Sequence, residues 1–169
     1  GRGMRNEENG VANSSSIPHP SSLTADSPPL RLQRLKLKNA SSRRRRLMVT
    51  SYHEWVLGVE REDAQMHVTT AWDVESCTLL ANNSWNPNFG SKVAFASSSP
   101  EPQHFSADRT DFLGRNGTPH HPVALRRRHI ADRCGAGLDP CAVLQVPVEL
   151  EPGEETEIIF LLGEADNVE

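Results

Sequence analysis

The apolar positions of this chain fall into short alternating runs, and the first of them begins abruptly. Leu30, Leu32, Leu35 and Leu37 punctuate Arg31, Arg34, Lys36 and Lys38, a period-2 strand pattern with one slip between Leu32 and Leu35. A turn is predicted over 39–42. The next strand, over 46–57, carries Leu47, Val49, Tyr52, Trp55 and Val56, a β-branched and aromatic set that suits a pleated surface. A third, over 65–73, sets Met66, Val68, Thr70 and Trp72 on one face and His67, Thr69 and Ala71 on the other. Shorter strands are predicted over 77–82 and 92–96, separated by the turn-rich Asn82-Asn83-Ser84 and Asn86-Pro87-Asn88. The C-terminal third reads as a hairpin. Apolar strands over 142–150 and 156–162 are joined by Glu151-Pro152-Gly153-Glu154, where Pro suits the first central turn position and Gly the second, which needs positive φ.

About seven strands, short turns and almost no helical periodicity predict an all-β antiparallel sandwich over 30–165, with 166–169 as a short tail. Residues 1–29 follow neither period. Rich in Ser, Asn, Pro and Gly, they hold too little apolar surface to offset the entropy of ordering, which predicts a disordered or loosely attached leader. The pattern also fails between 97 and 133, where Pro100, Pro102, Pro119 and Pro122 interrupt it. A loop this long inside a compact domain is either functional or disordered. It contains Ala107-Asp108-Arg109-Thr110-Asp111-Phe112-Leu113-Gly114-Arg115-Asn116-Gly117, in which Phe112 and Leu113 can dock the loop while Arg109 and Arg115 stay free to bind.

Charge and composition narrow the classes. The 169 residues carry a net charge of −4, so one domain is expected, and not a dedicated nucleic-acid binder. Residues 43–46 and 126–128 are all arginine, whereas 149–169 is acidic; both read as solvated turns or strand ends. Cys77, Cys134 and Cys141 are odd in number and lack CxxC spacing, so they read as reduced, buried or half-buried thiols. No apolar stretch has the form of a signal peptide or the length of a bilayer span. A cytoplasmic location with no membrane contact by this segment is expected. The triplets at Asn13, Asn39, Asn82 and Asn116 fit the N-glycosylation pattern, and read as turn chemistry.

Candidate chemistry is sparse. Asp108 and Asp111 form a carboxylate pair, but the adjacent arginines would hold both ionised, which makes poor general acids. No GxSxG elbow is present. His53 and His67 fall on different predicted strands and His120 and His121 are adjacent, so no metal site is predicted. Trp85 and Phe89, in the turn-rich NNSWNPNFG segment, are candidate platforms for sugar rings. Trp55 and Trp72, on strand faces, read as core.

Four blocks in one order carry a family resemblance: RRRRLMVTSYHEWVLG from Arg43, NNSWNPNFGSKVAFA from Asn82, DRTDFLGRNG from Asp108, and GAGLDPCAVLQVPVELEPGEETEIIFLLGEA from Gly135. From residue 30 to about 163 the chain resembles the N-terminal β-sandwich of glycoside hydrolase family 94, formerly glycosyltransferase family 36. It looks most like that domain in cyclic β-1,2-glucan synthases and cellobiose phosphorylase-like proteins. The resemblance implies a sandwich followed by a helical linker and an (α/α)6 barrel that supplies the general acid, with inorganic phosphate as nucleophile and co-substrate. Inverting displacement needs an acid on the leaving oxygen and a nucleophile on the opposite face, so this chain is expected to hold no catalytic residue and no cofactor.

The partners so implied are the barrel of the same protein, a β-glucan or gluco-oligosaccharide, and a second copy in a homodimer. Arg109 is implied to reach toward the sugar-binding end of the barrel site, where a guanidinium fork can hold vicinal hydroxyls; Arg115 can do the same. Asp108, Asp111, Phe112, Leu113 and Gly114 then anchor the loop. The residues themselves leave two alternatives open. Arg109 can instead pair with Asp108 or Asp111 to fix the loop, and the whole chain can be a structural module with no sugar contact.

Overall fold

The computed structural model describes residues 29–166 apart from Phe89 and Arg128. The leader expected over 1–29, save Pro29, and the tail beyond Asp166 lie outside the described residues. The alternating runs become eight strands: β1 (Leu30–Lys38), β2 (Arg45–Glu54), β3 (Thr69–Asp73), β4 (Thr78–Asn82), β5 (Lys92–Ser99), β6 (His104–Asp108), β7 (Pro140–Leu150) and β8 (Glu155–Asp166). They form a five-stranded sheet of order β1-β8-β5-β4-β3 and a three-stranded sheet of order β2-β7-β6, antiparallel throughout. This is the expected antiparallel sandwich. Two single helical turns interrupt it, α1 (Arg61–Ala64) and α2 (Arg109–Phe112).

The expected C-terminal hairpin is an arch. Its turn forms as read: the Glu154 N–H donates to the Glu151 carbonyl at 3.0 Å and Gly153 takes a φ of +80°. Yet β7 pairs with β2 and β6, while β8 pairs with β1 and β5. The turn therefore carries the chain from one sheet to the other, and both strands bury their apolar faces across the core. The turn between β1 and β2 does likewise. The two arches stack, β1 on β8 from Leu30↔Gly163 to Lys38↔Glu155 and β2 on β7 from Arg45↔Leu150. Asn39 staples them. Its N–H donates to the Glu154 carbonyl at 2.9 Å, its carbonyl accepts from the Gly153 N–H at 2.8 Å, and its buried amide donates to the carbonyls of Arg43 and Leu150.

The basic and acidic runs complement each other along the same pairs. Arg34 meets Glu157 at 2.6 Å, Lys38 meets Glu155 at 2.6 Å, Arg46 meets Glu149 at 2.9 Å, and Arg44 bridges Glu149 and Glu151. Exposed pairs of this kind contribute little each. Together they favour this register over a slipped one.

Leu79, Ala96, Leu144, Val146 and Ile158 fill the space between the sheets. At one side Trp72 of β3 lies nearly parallel to Phe105 of β6, ring centroids 4.1 Å apart, and Trp55 is buried. β7 is apolar without alternation over its first half because both of its faces are covered. Ala142, Leu144 and Val146 face the inter-sheet core, whereas Cys141 and Val143 join a second cluster with Phe112, Leu113, Ala124, Ile130 and Tyr52. Much of segment 109–133 is thus a third layer on the outer face of the three-stranded sheet. Past it the alternation resumes, and Pro147 and Glu149 are exposed.

Several expectations are corrected. The strand read over 65–73 starts only at Thr69, preceded by α1 and a 3₁₀ turn, Gln65–His67. Met66, placed on one face with Val68, Thr70 and Trp72, lies before the strand and is 73% exposed. Glu62 and Asp63 sit in the first helical turn, where acidic side chains suit the positive end of a helix. The stretch read as irregular over 97–133 contains the end of β5, all of β6, and α2. β6 escapes the period-2 test because Ser106 and Asp108 are buried on the face opposite Phe105 and Ala107. Among the cysteines, Cys141 is buried and Cys77 half-buried, but Cys134 is exposed. The slip in β1 is real: Leu35 opposes buried Ile158, while Leu30 and Leu32, of opposite phase, are 57% and 58% exposed.

Candidate functional site

The third layer opens at Asp108, the last residue of β6. Its Oδ1 caps α2, accepting from the Thr110 N–H at 2.9 Å and the Thr110 hydroxyl at 2.7 Å, and its Oδ2 lies 3.1 Å from Arg133. Asp111 accepts from Arg127 at 2.9 Å and from the Ala131 N–H at 3.1 Å. The carboxylates therefore tie the start of the layer to its end, through arginines distant in sequence and not through Arg109 or Arg115. Phe112 and Leu113 are buried at 4% and 1% exposure, and Phe112 stacks on Tyr52 at 5.0 Å. Gly114 has a φ of +90°. At Gly117 the backbone folds back so closely that a Cβ would lie 1.7 Å from the Leu113 carbonyl oxygen, so the position admits only glycine.

Arg109 pairs with neither Asp108 nor Asp111. Its Nε donates to Glu54 Oε1 at 3.0 Å, and its Nη1 stands 3.6 Å from Asp139 Oδ2. Arg61 of α1 joins the same carboxylates: its Nε lies 3.1 Å from Glu54 Oε2, off-line for a hydrogen bond, and its Nη2 meets Asp139. The Tyr52 hydroxyl donates to Glu54 Oε1 at 2.5 Å. That bond, with Arg109 and Arg61 beside it, holds the Glu54 carboxyl below the usual range against the opposing effect of burial. Burial, and then Glu54, push the Tyr52 phenol up. The bond to Glu54 raises Arg109. The guanidinium of Arg109 is thereby held in one place with 30% of its side chain exposed. Arg115 is exposed.

The two sides of α1 serve different places. Arg61 belongs to this charge cluster, while Glu62, Asp63 and Ala64 line a cleft of about 420 Å³ together with Met66, His67, Asn83 and Trp85. Trp85 is 67% exposed, and one face of its indole rests on His67, ring centroids 4.3 Å apart and planes 13° from parallel. The turn that presents it is built by asparagines. Asn83 Nδ2 donates to the Leu57 carbonyl at 2.7 Å, Asn82 Nδ2 to the Lys92 carbonyl at 2.7 Å, and the Asn86 N–H to the Asn83 carbonyl at 3.1 Å. Phe89, named with Trp85 as a stacking platform, lies outside the described residues. His53 is elsewhere, 3.1 Å from Ser51 Oγ. Among the described residues no three His, Cys, Asp or Glu side chains converge as metal ligands do.

Sequence reading missed Glu54 and Asp139 as the partners of Arg109, and Arg61 as the second guanidinium on the same carboxylates. One signal was available: Tyr52 and Glu54 alternate onto one face at the end of β2. Asp139 and Arg61 had none, since tertiary folding alone brings them to Arg109.

The family model described as glycosyl hydrolase 94, supersandwich domain, matches residues 23–169. The chain belongs to this family. Among curated proteins, this glycosyl hydrolase 94 supersandwich domain is similar to the cyclic beta-(1,2)-glucan synthase NdvB of Rhizobium meliloti. The two are 35% identical over 140 residues, which cover 82% of this chain and 5% of that protein. It is also similar to the cellobionic acid phosphorylase of Neurospora crassa, 30% identical over 140 residues that cover 78% of this chain and 17% of that protein. The supersandwich chain thus spans a small part of either relative's length. Among its described residues no helix is long and apolar enough to cross a membrane.

Proposed function

We propose that this chain is the glucan-contacting β-sandwich of a larger, cytoplasmic glycosyl hydrolase 94 enzyme, a β-glucan phosphorylase or a cyclic β-1,2-glucan synthase. The reaction belongs to an (α/α)6 barrel elsewhere in that protein, with inorganic phosphate as co-substrate. The sandwich supplies no reacting group. Arg109 carries the reading: two carboxylates from different parts of the chain hold its guanidinium at the surface, where its remaining donors can bind vicinal hydroxyls. Partly exposed ion pairs add little to stability. A cluster of four charges and a tyrosine hydroxyl is therefore better accounted for by positioning than by folding.

Isothermal titration with β-1,2-linked gluco-oligosaccharides tests the contact, together with Arg109→Ala in the enzyme that contains this domain. Heat of binding and a raised KM in the variant are expected. Absence of both outcomes removes the binding role.

A second reading, a structural module that docks on the barrel or on a second copy without touching sugar, is favoured by one observation. Leu30 and Leu32 stand exposed on the outer face of the five-stranded sheet. Under that reading the isolated chain self-associates, Leu32→Ser relieves the association, and oligosaccharide changes neither.

A further inference from the structure

We propose that the cleft between α1 and the Trp85 turn is a saccharide subsite separate from Arg109, in which a pyranose ring lies on the free face of Trp85 and a sugar hydroxyl donates to Asn83 Oδ1. The choice of a glucan as the occupant rests on the preceding reading; the site itself rests on different residues.

Three observations carry it. First, the indole of Trp85 is 67% exposed, with His67 stacked on one face at 4.3 Å and the other face open. A flat aromatic face matches the C–H-bearing face of a pyranose, and one already backed by a second ring loses little freedom on binding. Second, Asn83 is 1% exposed and lines the cleft. Its Nδ2 is spent on the Leu57 carbonyl at 2.7 Å, which fixes the amide's orientation, and its Oδ1 has no partner. Buried acceptors without donors are rare in folded proteins, and a ligand hydroxyl entering the cleft that Asn83 lines would supply the missing donor. Third, the charged side chains lining the cleft are Glu60, Glu62 and Asp63, with no lysine or arginine among them. Such a rim accepts hydrogen bonds from hydroxyls and repels phosphates, so it favours a neutral polyol over an anionic ligand.

The volume of about 420 Å³ falls within the usual span of small-ligand pockets. Met66 and Val59, exposed at 73% and 94%, add apolar area that a protein partner could also use. An unpaired acceptor among three carboxylates calls instead for a ligand rich in donors.

Trp85 dominates the solvent-sensitive part of the fluorescence, since Trp55 is buried and Trp72 is stacked against Phe105, and Trp85→Phe supplies the background of the other two. The chain is titrated with a β-1,2-linked gluco-oligosaccharide, with sorbitol at matched osmolality as the control. A saturable blue shift and protection from acrylamide quenching are expected with the oligosaccharide alone. Trp85→Ala, checked for intact folding by thermal melting, should weaken binding measured calorimetrically by about tenfold or more, the scale of one lost aromatic contact. Trp85→Phe should retain most of it. Arg109→Ala should leave this site's affinity within about twofold, as expected for separate sites. If oligosaccharide binds but depends on Arg109 and not on Trp85, the subsite is wrong and the glucan reading survives. No binding at all defeats both. If Trp85→Ala instead disrupts self-association or docking to the rest of the enzyme and leaves sugar affinity intact, the face is a protein contact and the proposal falls.

Discussion

Replacing Leu113 by alanine tests whether segment 109–133 is a packed layer. Leu113 is 1% exposed and packs in the second cluster among Phe112, Ala124, Ile130, Cys141 and Val143. Its N–H donates to the Arg109 carbonyl at 2.8 Å and its carbonyl accepts from the Val123 N–H at 3.3 Å, bonds that alanine preserves. The loss is therefore confined to the side chain. Removing it forfeits about 2 kcal/mol of transfer free energy, and the cavity left between sheet and loop brings the total to about 3–4 kcal/mol. With a urea dependence of about 1.5 kcal/mol/M, the midpoint of equilibrium unfolding should fall by about 2 M. Leu125→Ala is the internal control: in the same layer but 60% exposed, it should change stability by no more than about 0.5 kcal/mol. Trypsin under native conditions should cut Leu113→Ala faster after Arg115 and Arg126, because the layer opens before the sandwich does. A loss below about 1 kcal/mol, or equal losses in the two variants, would refute the three-layer account.

Three further outcomes are expected. The Glu54 carboxyl is held low in the folded state, so its contribution is complete above the unfolded glutamate value of about 4.3 and disappears as pH falls through the lower folded value. The stability gap between wild type and Glu54→Gln in urea should therefore be constant at neutral pH and close in acid; a gap that widens in acid contradicts the assignment. Gly117→Ala should cost more than about 1 kcal/mol by thermal or urea unfolding, because the added Cβ meets the Leu113 carbonyl oxygen, and an unchanged midpoint would mean that the backbone does not make this approach. Burial pushes the Cys141 thiol up while Cys134 is exposed. A disulfide reagent should thus label Cys134 first, Cys77 more slowly, and Cys141 only after denaturation, and early labelling of Cys141 would show that the third layer opens readily.

Strand existence was legible where one face of a strand is wet and polarity alternates with the pleat, as over 146–150 of β7, and in β2 from its β-branched and aromatic residues. Partnership was not. The turn at Pro152-Gly153 has the same local chemistry whether the flanking strands pair or part, so residues 142–162 read as a hairpin although β7 and β8 lie in opposite sheets. β6 was hidden because a strand covered on both faces need not alternate, and its small and polar residues at 106–108 imitate a loop. The candidate site shows the same division. Trp85 could be marked as exposed from its asparagine-rich surroundings, and Phe112 and Leu113 as buried from their apolarity. The partners of Arg109 could not be read, since Glu54 and Asp139 reach it only after β2, β7 and α2 have assembled.

The placement of β7 and β8 has a consequence for the time at which this domain can form. β8 lies between β1 and β5, and β7 between β2 and β6, so the middle strand of the three-stranded sheet and the strand that joins β1 to the rest of the five-stranded sheet are both made last. During synthesis β2 has no sheet neighbour until β7 has been made, and β1 none until β8 has, whereas the β3-β4-β5 meander can pair early. Closing contacts as distant as Leu30 with Gly163 delays folding, because the entropy of the long loop must be met before the pairing returns anything. These two strands, β1 basic along its length and β2 basic at its start, must therefore stay soluble on their own while they wait for the acidic arch that completes them.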